Sequence, residues 1–545
     1  MCVAFRGRQC VLVVVKFSLV DMLFIVLIFG LTRAVTSNSN CQEVVAMAAL
    51  EDGNTVVDTR LDMLAGTWIS EGCETRPGPE YALRHYTFDD SGKFHLTQHH
   101  YWDDSCSLPL LTIQAFGKIQ FKGSLVQPGA ACGNFKFTNI TIIPQDDNAV
   151  RELDKRASFE CPGQTWKSWR KYEEHPVYDS RYDENNKKKT FNLWLSNPNS
   201  HYQSVNSKGS NVHFSDISCL GSLKWAFNEL KLLKVQLRPL MEHFRKAPRE
   251  VKMELLLGDI HSNARLRQYY NPSSFQVPLV QQIKEHTQIV VNRHTYIVKN
   301  TQAIPPNIFT NPKTPPHLIE KPPLPPYIWG QWTSTRCESR PGGTLYLTRS
   351  FSFYSDDTSW IGEHNFYSDP FCRIPKFIVT AAGHFKLQGL NYQLKRTSNI
   401  NFNIEKASLT VLDARMIYDL RLSGHCGVGE WEVNVPKELS TTGGCMQLGI
   451  FLPSVQYDVV KLEMDYKGSC LLFLGQVDTD NVQLNDVTKR PTAFQKPLVK
   501  CGEVPTYSRK LWEILNEGDF TGGCSKQREV DLWLLAGFFL LVYAR

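Results

Sequence analysis

The chain has 545 residues, with 60 Lys and Arg against 54 Asp and Glu, 15 Cys and 29 Pro. That length exceeds what one hydrophobic core organises, so two or more domains are expected. A hydrophobic fraction of 42% with 21% charged residues excludes global disorder, and a net charge of +6 over this length does not by itself argue for a nucleic-acid binder. Fifteen cysteines point either to metal sites or to disulfides in an oxidising compartment.

In chain order, the first element is a basic start with Arg6 and Arg8, followed by apolar runs at Val11–Val15 and Met22–Leu31 and small residues to Ser37. This pattern predicts a secretory signal peptide over residues 1–37, with an N-terminal anchor as the alternative. An extension over 38–61 leads into the body of the chain. Asn139-Ile-Thr141 is a glycosylation sequon.

Two halves then repeat. Gly66-Thr-Trp68 recurs as Gly330-Gln-Trp332, and Cys73-Glu-Thr-Arg76-Pro77-Gly78 as Cys337-Glu-Ser-Arg340-Pro341-Gly342. Arg84 with its aromatic neighbours recurs at Arg349, and Tyr101, Asp103, Cys106 and Pro109 recur as Tyr367, Asp369, Cys372 and Pro375. Late in each half, Pro272-Ser-Ser-Phe275-Gln276 with Pro278-Leu279-Val280 matches Pro491-Thr-Ala-Phe494-Gln495 with Pro497-Leu498-Val499. Two homologous domains follow, 62–283 and 327–502. Between them lies a linker, 284–326, whose Pro305–Pro326 stretch holds nine prolines in 22 residues and predicts an extended spacer.

Within each repeat the period is two. Leu111, Ile113, Ala115, Gly117, Ile119 and Phe121 alternate with polar neighbours, and Phe377, Val379, Ala381, Gly383, Phe385 and Leu387 keep the same phase. Each run predicts a long half-buried strand. Glu229–Val235 and Tyr457–Leu462 are further strands, while Gln145–Ala157 and Leu412–Leu422 read as helices. The fold class is therefore all-β with minor helix: two tandem antiparallel β-barrels held by disulfides. Small residues at Ala115, Gly117, Ala381 and Gly383 leave two readings open, a close backbone crossing or a hollow that admits an apolar ligand. Phe135, Phe137 and Asn139 share one face by strict alternation, so an outward Asn139 requires a bulge near Thr138.

With export, the cysteines read as disulfides, and equivalent cysteines suggest equivalent bridges: Cys73–Cys106 with Cys337–Cys372, and Cys161–Cys219 with Cys426–Cys445. Each of the first two closes a loop worth roughly 3–4 kcal/mol. Cys41, Cys132, Cys470, Cys501 and Cys524 have no assigned partner. No catalytic signature or cofactor motif is recognisable, and His95 and His99 share a strand face opposite His100, which disfavours a shared metal site. A membrane-proximal stalk, 503–531, precedes an apolar tail, 532–545, that fits either a short membrane helix or a glycolipid-attachment signal. Residues 1–37 and 525–545 carry most of the positive excess; the part between is nearly neutral.

The Gly-x-Trp opening resembles the lipocalin motif, in which the tryptophan closes the barrel base. On that likeness Trp68, Arg84, Trp332 and Arg349 are barrel-base residues, paired through cation–π contacts. The ordered set G-x-W, C-E-x-R-P-G, Y-x-x-x-x-C-x-x-P and F-Q-x-P-L-V, present twice, resembles the adenomatosis polyposis coli down-regulated protein family. That resemblance implies a membrane-anchored glycoprotein on the extracellular side of the cell membrane. It would inhibit Wnt signalling by binding Wnt proteins and low-density-lipoprotein-receptor-related co-receptors, with the Wnt acyl chain in an apolar cavity near Ala115/Gly117 or Ala381/Gly383. The expectation is thus a binding protein and not an enzyme. A lipid carrier without a signalling partner is the alternative.

Overall fold

The structure, a computed structural model, describes residues 40–161, 168–180, 220–240, 250–283, 287–299, 311–342, 345–355, 358–423, 426–465, 468–476, 479 and 486–503. The signal peptide, most of the stalk, the apolar tail, Cys219 and Cys524 lie outside them. Among the described residues no helix is long and apolar enough to cross a membrane.

The first repeat is a closed eight-stranded antiparallel barrel. Its strands are β1 (Gly66–Ser70), β2 (Glu80–Phe88), β3 (Lys93–Tyr101), β4 (Pro109–Gly123), β5 (Ala131–Pro144), β6 (Leu232–Pro239), β7 (Glu250–Leu257) and β8 (Leu279–Gln282). Each pairs with the next, and β8 returns to β1, an up-and-down order. The second repeat makes a ring in the same order from β9 (Gly330–Ser334), β10 (Tyr346–Phe353), β11 (Ser359–Tyr367), β12 (Pro375–Leu390), β13 (Ser398–Val411), β14 (Ser454–Met464), β15 (Cys470–Leu474) and β16 (Leu498–Gly502). Closure leaves no edge along these rings.

The long alternating runs are β4 and β12. In β4, Ala115, Gly117 and Ile119 are buried while Phe116, Lys118 and Gln120 are exposed. The expected bulge is present: Phe116 pairs with Asn139 and Gly117 with Phe137, so Thr138 is left unopposed. The extra residue restores phase, turning Asn139 outward beside Asp179 while Phe137, Ile140 and Ile142 face the core. The second barrel repeats the device, with Ala382 on Lys406 and Gly383 on Ile404, leaving Glu405 unopposed. The two glycines are there for these crossings. A Cβ on Gly117 would stand 2.4 Å from the Lys136 carbonyl and 2.5 Å from the Phe94 ring, and one on Gly383 would stand 1.9 Å from the Asn403 carbonyl.

Both helices form where expected. The first, α1 (Asp147–Glu160), starts two residues later than predicted because the Asp146 side chain accepts the Ala149 N–H at 2.7 Å and caps it. The second, α2 (Ala414–Ser423), packs Met416 and Leu420 over Phe377 and Leu409. Tyr457–Leu462 lies within β14. Two readings need correction. Glu229 is not in a strand: a 3₁₀ segment runs over Gly221–Lys231 and the strand begins at Leu232, which frees the Glu229 carboxylate to turn into the barrel. The linker begins later than 284, because Thr287–Val291 and His294–Val298 form a hairpin whose second strand pairs parallel with Glu250 and Val251 of β7. Nor is the proline segment free of contacts. Tyr101 donates to the Pro316 carbonyl at 2.7 Å, Leu318 N–H donates to Cys106, and the Lys321 ammonium reaches Glu463 of β14.

Cys73–Cys106, Cys337–Cys372 and Cys426–Cys445 are bonded. Cys161, Cys41 and Cys501 are also in disulfides, whereas Cys132 and Cys470 are free thiols.

Candidate functional site

Trp68 and Trp332 take the same place in the two barrels. Each is fully buried, and each indole N–H donates to a carbonyl four residues back, Trp68 to Leu64 at 2.7 Å and Trp332 to Ile328 at 2.6 Å. The cation–π pairing expected of them does not form. Arg84 and Arg349 are drawn to carboxylates instead, because a buried guanidinium gains more from a charged acceptor than from a ring. The Arg84 Nε and Nη2 meet Glu74 at 3.0 and 2.8 Å, and Arg349 grips Glu338 through three contacts of 3.0–3.1 Å. These are the glutamates of the repeated C-E-x-R-P-G motif.

Ala115 is fully buried within one apolar cluster that also holds Leu96, Ile140 and Leu153. Ala381 packs against two clusters, one around Trp332 and one beneath α2. With Phe94 against Gly117 and backbone against Gly383, the two glycines are packed crossings, and Ala115 is fully buried beside them, whereas Ala381 is only partly buried. His95 stacks on Phe116 and contacts Gln114, His99 bonds Thr112 at 2.9 Å, and His100 bonds Gln98 on the opposite face.

The concave site lies where the two barrels meet. A cleft with a cavity volume of about 90 Å³ is lined by both copies of two repeated motifs: Glu74, Arg76 and Pro77 with Glu338, Arg340 and Pro341, and Phe275–Val277 with Phe494–Lys496. The contacts are reciprocal. Gly78 N–H donates to Thr492 Oγ1 at 2.9 Å, and Gly342 N–H donates to Ser273 Oγ at 2.7 Å, with Thr492 and Ser273 at equivalent places. Arg84 donates to the Val277 carbonyl at 2.9 Å and Arg349 to the Lys496 carbonyl at 2.7 Å. Gln276 and Gln495 each bond the glycine carbonyl of their own repeat, Gly258 and Gly475, at 2.6 Å. The repeats thus face each other as an isologous pair joined in one chain. Arg336 to Glu254 at 2.7 Å and Arg396 to Asp104 at 2.9 Å add ion pairs across the junction.

Behind the first half of the cleft lies a buried ionic cluster. Glu229 is fully buried and receives Arg76 at 3.0 Å, Arg84 at 3.3 Å, Gln276 at 2.6 Å and the Tyr86 hydroxyl. Burial pushes the Glu229 carboxyl up, but Arg76, Arg84 and the hydrogen bonds outweigh it and hold the group below its ordinary range. In the second half, Lys496 stands where the first has Val277. Burial, with Arg336 and Lys234 nearby, brings its ammonium down to about 7, with Glu338 and Glu254 opposing that shift.

The sign of the resulting pH dependence follows. A lysine depressed in the folded state binds fewer protons there than when unfolded, between about pH 7 and its ordinary value near 10.4. Stability contributed by Lys496 therefore rises with pH across that window. Relative to Lys496→Val, the wild type is expected to gain as pH goes from 6.5 to 9.5, read as the difference in urea midpoints. A difference that stays flat would contradict the burial of this ammonium.

Sequence reasoning missed Glu229, Arg340 and Lys496. The first was hidden by its assignment to a strand. The others sat in motifs recognised as repeated, and the Val277/Lys496 mismatch inside an otherwise conserved pair of segments was the available signal.

Compared with known protein families, residues 40–309 and 319–506 match the model described as adenomatosis polyposis coli down-regulated 1. The match takes in both barrels and the cleft between them.

Proposed function

Because the chain belongs to the adenomatosis polyposis coli down-regulated 1 family, we propose that it is an extracellular inhibitor of Wnt signalling that binds Wnt ligands. The observation that supports this reading is the family match over both repeats, since the paired barrels and their junction are what the match covers. The disulfides fit an oxidising compartment. Attachment at the cell surface through residues 532–545, a glycan on Asn139, and engagement of low-density-lipoprotein-receptor-related co-receptors belong to the same proposal.

The packing of Ala115, Gly117 and Gly383 gives no support to an acyl chain sheltered at those positions. Recognition through the outer surface of the paired barrels is the mode this reading adopts. The test is capture of purified Wnt by the full chain, paired with a Wnt reporter in cells. Saturable capture and a lowered reporter are expected, and the loss of both would sink the reading. Acylated and acyl-free Wnt, titrated in parallel, separate the modes. Near-equal binding is the result expected of surface recognition; a difference above tenfold would return the acyl chain to a barrel.

A further inference from the structure

We infer that the second-repeat side of the inter-barrel cleft binds a tetrahedral oxyanion, a sulfate or phosphate group, through Arg340 and Lys496. The two halves of the cleft are copies in sequence but not in charge. In the first half Arg76 and Arg84 share two carboxylates, Glu74 and Glu229, and the residue next to the conserved glutamine is Val277. In the second half Arg349 takes Glu338 to itself, Arg340 has no ion pair or hydrogen bond among the described residues, and Lys496 adds a third cation. The Nε of Arg340 is a buried donor without an acceptor; the equivalent Arg76 Nε also lacks a hydrogen bond but stands 3.9 Å from Glu74, a carboxylate partner that Arg340 does not have. Unused buried donors beside uncompensated cations are costly, and an anion with several oxygens relieves both costs together.

Among the described residues, the other acidic groups nearby are already engaged. Asp259 accepts from Tyr270, Ser273 and Ser274. Glu254 is held by Arg336, Lys252 and Gln236. Asp458 takes the N–H groups of Val459 and Gly475. A cavity of about 90 Å³ has room for a group the size of a few waters, which suits one oxyanion. A guanidinium fork and an ammonium are donors that such a group uses.

The site is independent of the Wnt reading and is tested without Wnt. The purified full chain, held at pH 6 where Lys496 keeps its proton, is titrated calorimetrically with sodium sulfate and, separately, sodium phosphate, at constant ionic strength set by chloride. One equivalent of at least one oxyanion is expected to bind saturably, and the tighter arm names the preferred ion. Lys496→Val and Arg340→Gln are each expected to weaken binding at least tenfold, while Lys386→Gln on the exposed side of β12 leaves it unchanged. Val277 occupies the equivalent place in the first repeat, half-exposed, so Lys496→Val introduces a side chain that this architecture already carries at that position. That variant decides the matter even where Arg340→Gln fails to fold. Absence of saturable binding in both arms, or wild-type affinity in Lys496→Val, would overturn the assignment.

Discussion

Replacing Glu229 with alanine is expected to lower the unfolding free energy by about 3–5 kcal/mol, read from the urea midpoint with an unchanged slope. The carboxylate is fully buried and is the shared acceptor of Arg76 and Arg84, with Tyr86 and Gln276 completing its hydrogen bonds. Its removal leaves Arg76 with Glu74 alone, at 3.9 Å, while Arg84 keeps Glu74 at 2.8 Å. The cost comes from stranding a charge, so it is not the net worth of the cluster. Removing the stranded partner as well, in Glu229→Ala/Arg76→Met, is therefore expected to recover a large part of the loss. A double variant as unstable as the single one would show that packing, and not charge, sets the cost. Glu229→Gln is intermediate, keeping acceptors for some donors but not the charge.

The cluster also shows which parts of the fold were legible in the sequence. Duplication, strand period and turn residues are local, and they yielded both barrels, both helices, three of the four disulfide pairs and the Thr138 bulge. The bulge was deducible because an outward Asn139 conflicts with inward Phe135 and Phe137, and one extra residue is the simplest repair. The cleft was not deducible. Gly78 and Thr492 are 414 residues apart, and nothing in either segment says that the copies face each other across a reciprocal junction. Arg84 was read as a partner for Trp68 because the Gly-x-Trp motif followed by an arginine among aromatics resembles the base of a lipocalin barrel. The glutamate that wins it, Glu74, sits ten residues upstream on a short strand that folds back on β2. The glycines illustrate the same limit: alternation places Gly117 on the inner face correctly, but whether the space beside it is hollow depends on Phe94, a residue of another strand.

That junction gives the repeated motifs a physical role. The glutamate of C-E-x-R-P-G neutralises the arginine of the next strand, while the proline and glycine at the end of the motif meet the other barrel at the cleft. The F-Q segment closes its own barrel with the glutamine and presents the next residue to the cleft. Each motif therefore joins barrel closure to barrel pairing, so the two copies can differ where only the cleft is affected, as Val277 and Lys496 do.

Replacing Trp332 with alanine is expected to cost about 3–5 kcal/mol, again measured by urea unfolding. The side chain is 1% exposed and sits in the cluster of Phe351, Phe353, Phe402, Leu472 and Leu498. Truncation opens a cavity in a barrel whose core is already divided between this cluster and the one beneath α2, with Ala381 touching both. Trp332→Phe fills much of the volume but gives up the donor to Ile328, leaving that carbonyl without its 2.6 Å bond. Its cost is expected to be smaller, about 1–3 kcal/mol. The same pair of substitutions at Trp68 should follow the same order, because the Leu64 carbonyl plays the same part. If Trp332→Phe proved as damaging as Trp332→Ala, the tryptophan would act through its hydrogen bond rather than its bulk, and the barrel base would be held by one polar contact. The opposite extreme, a phenylalanine with no cost, would mean that the indole N–H adds nothing beyond filling the base of the barrel.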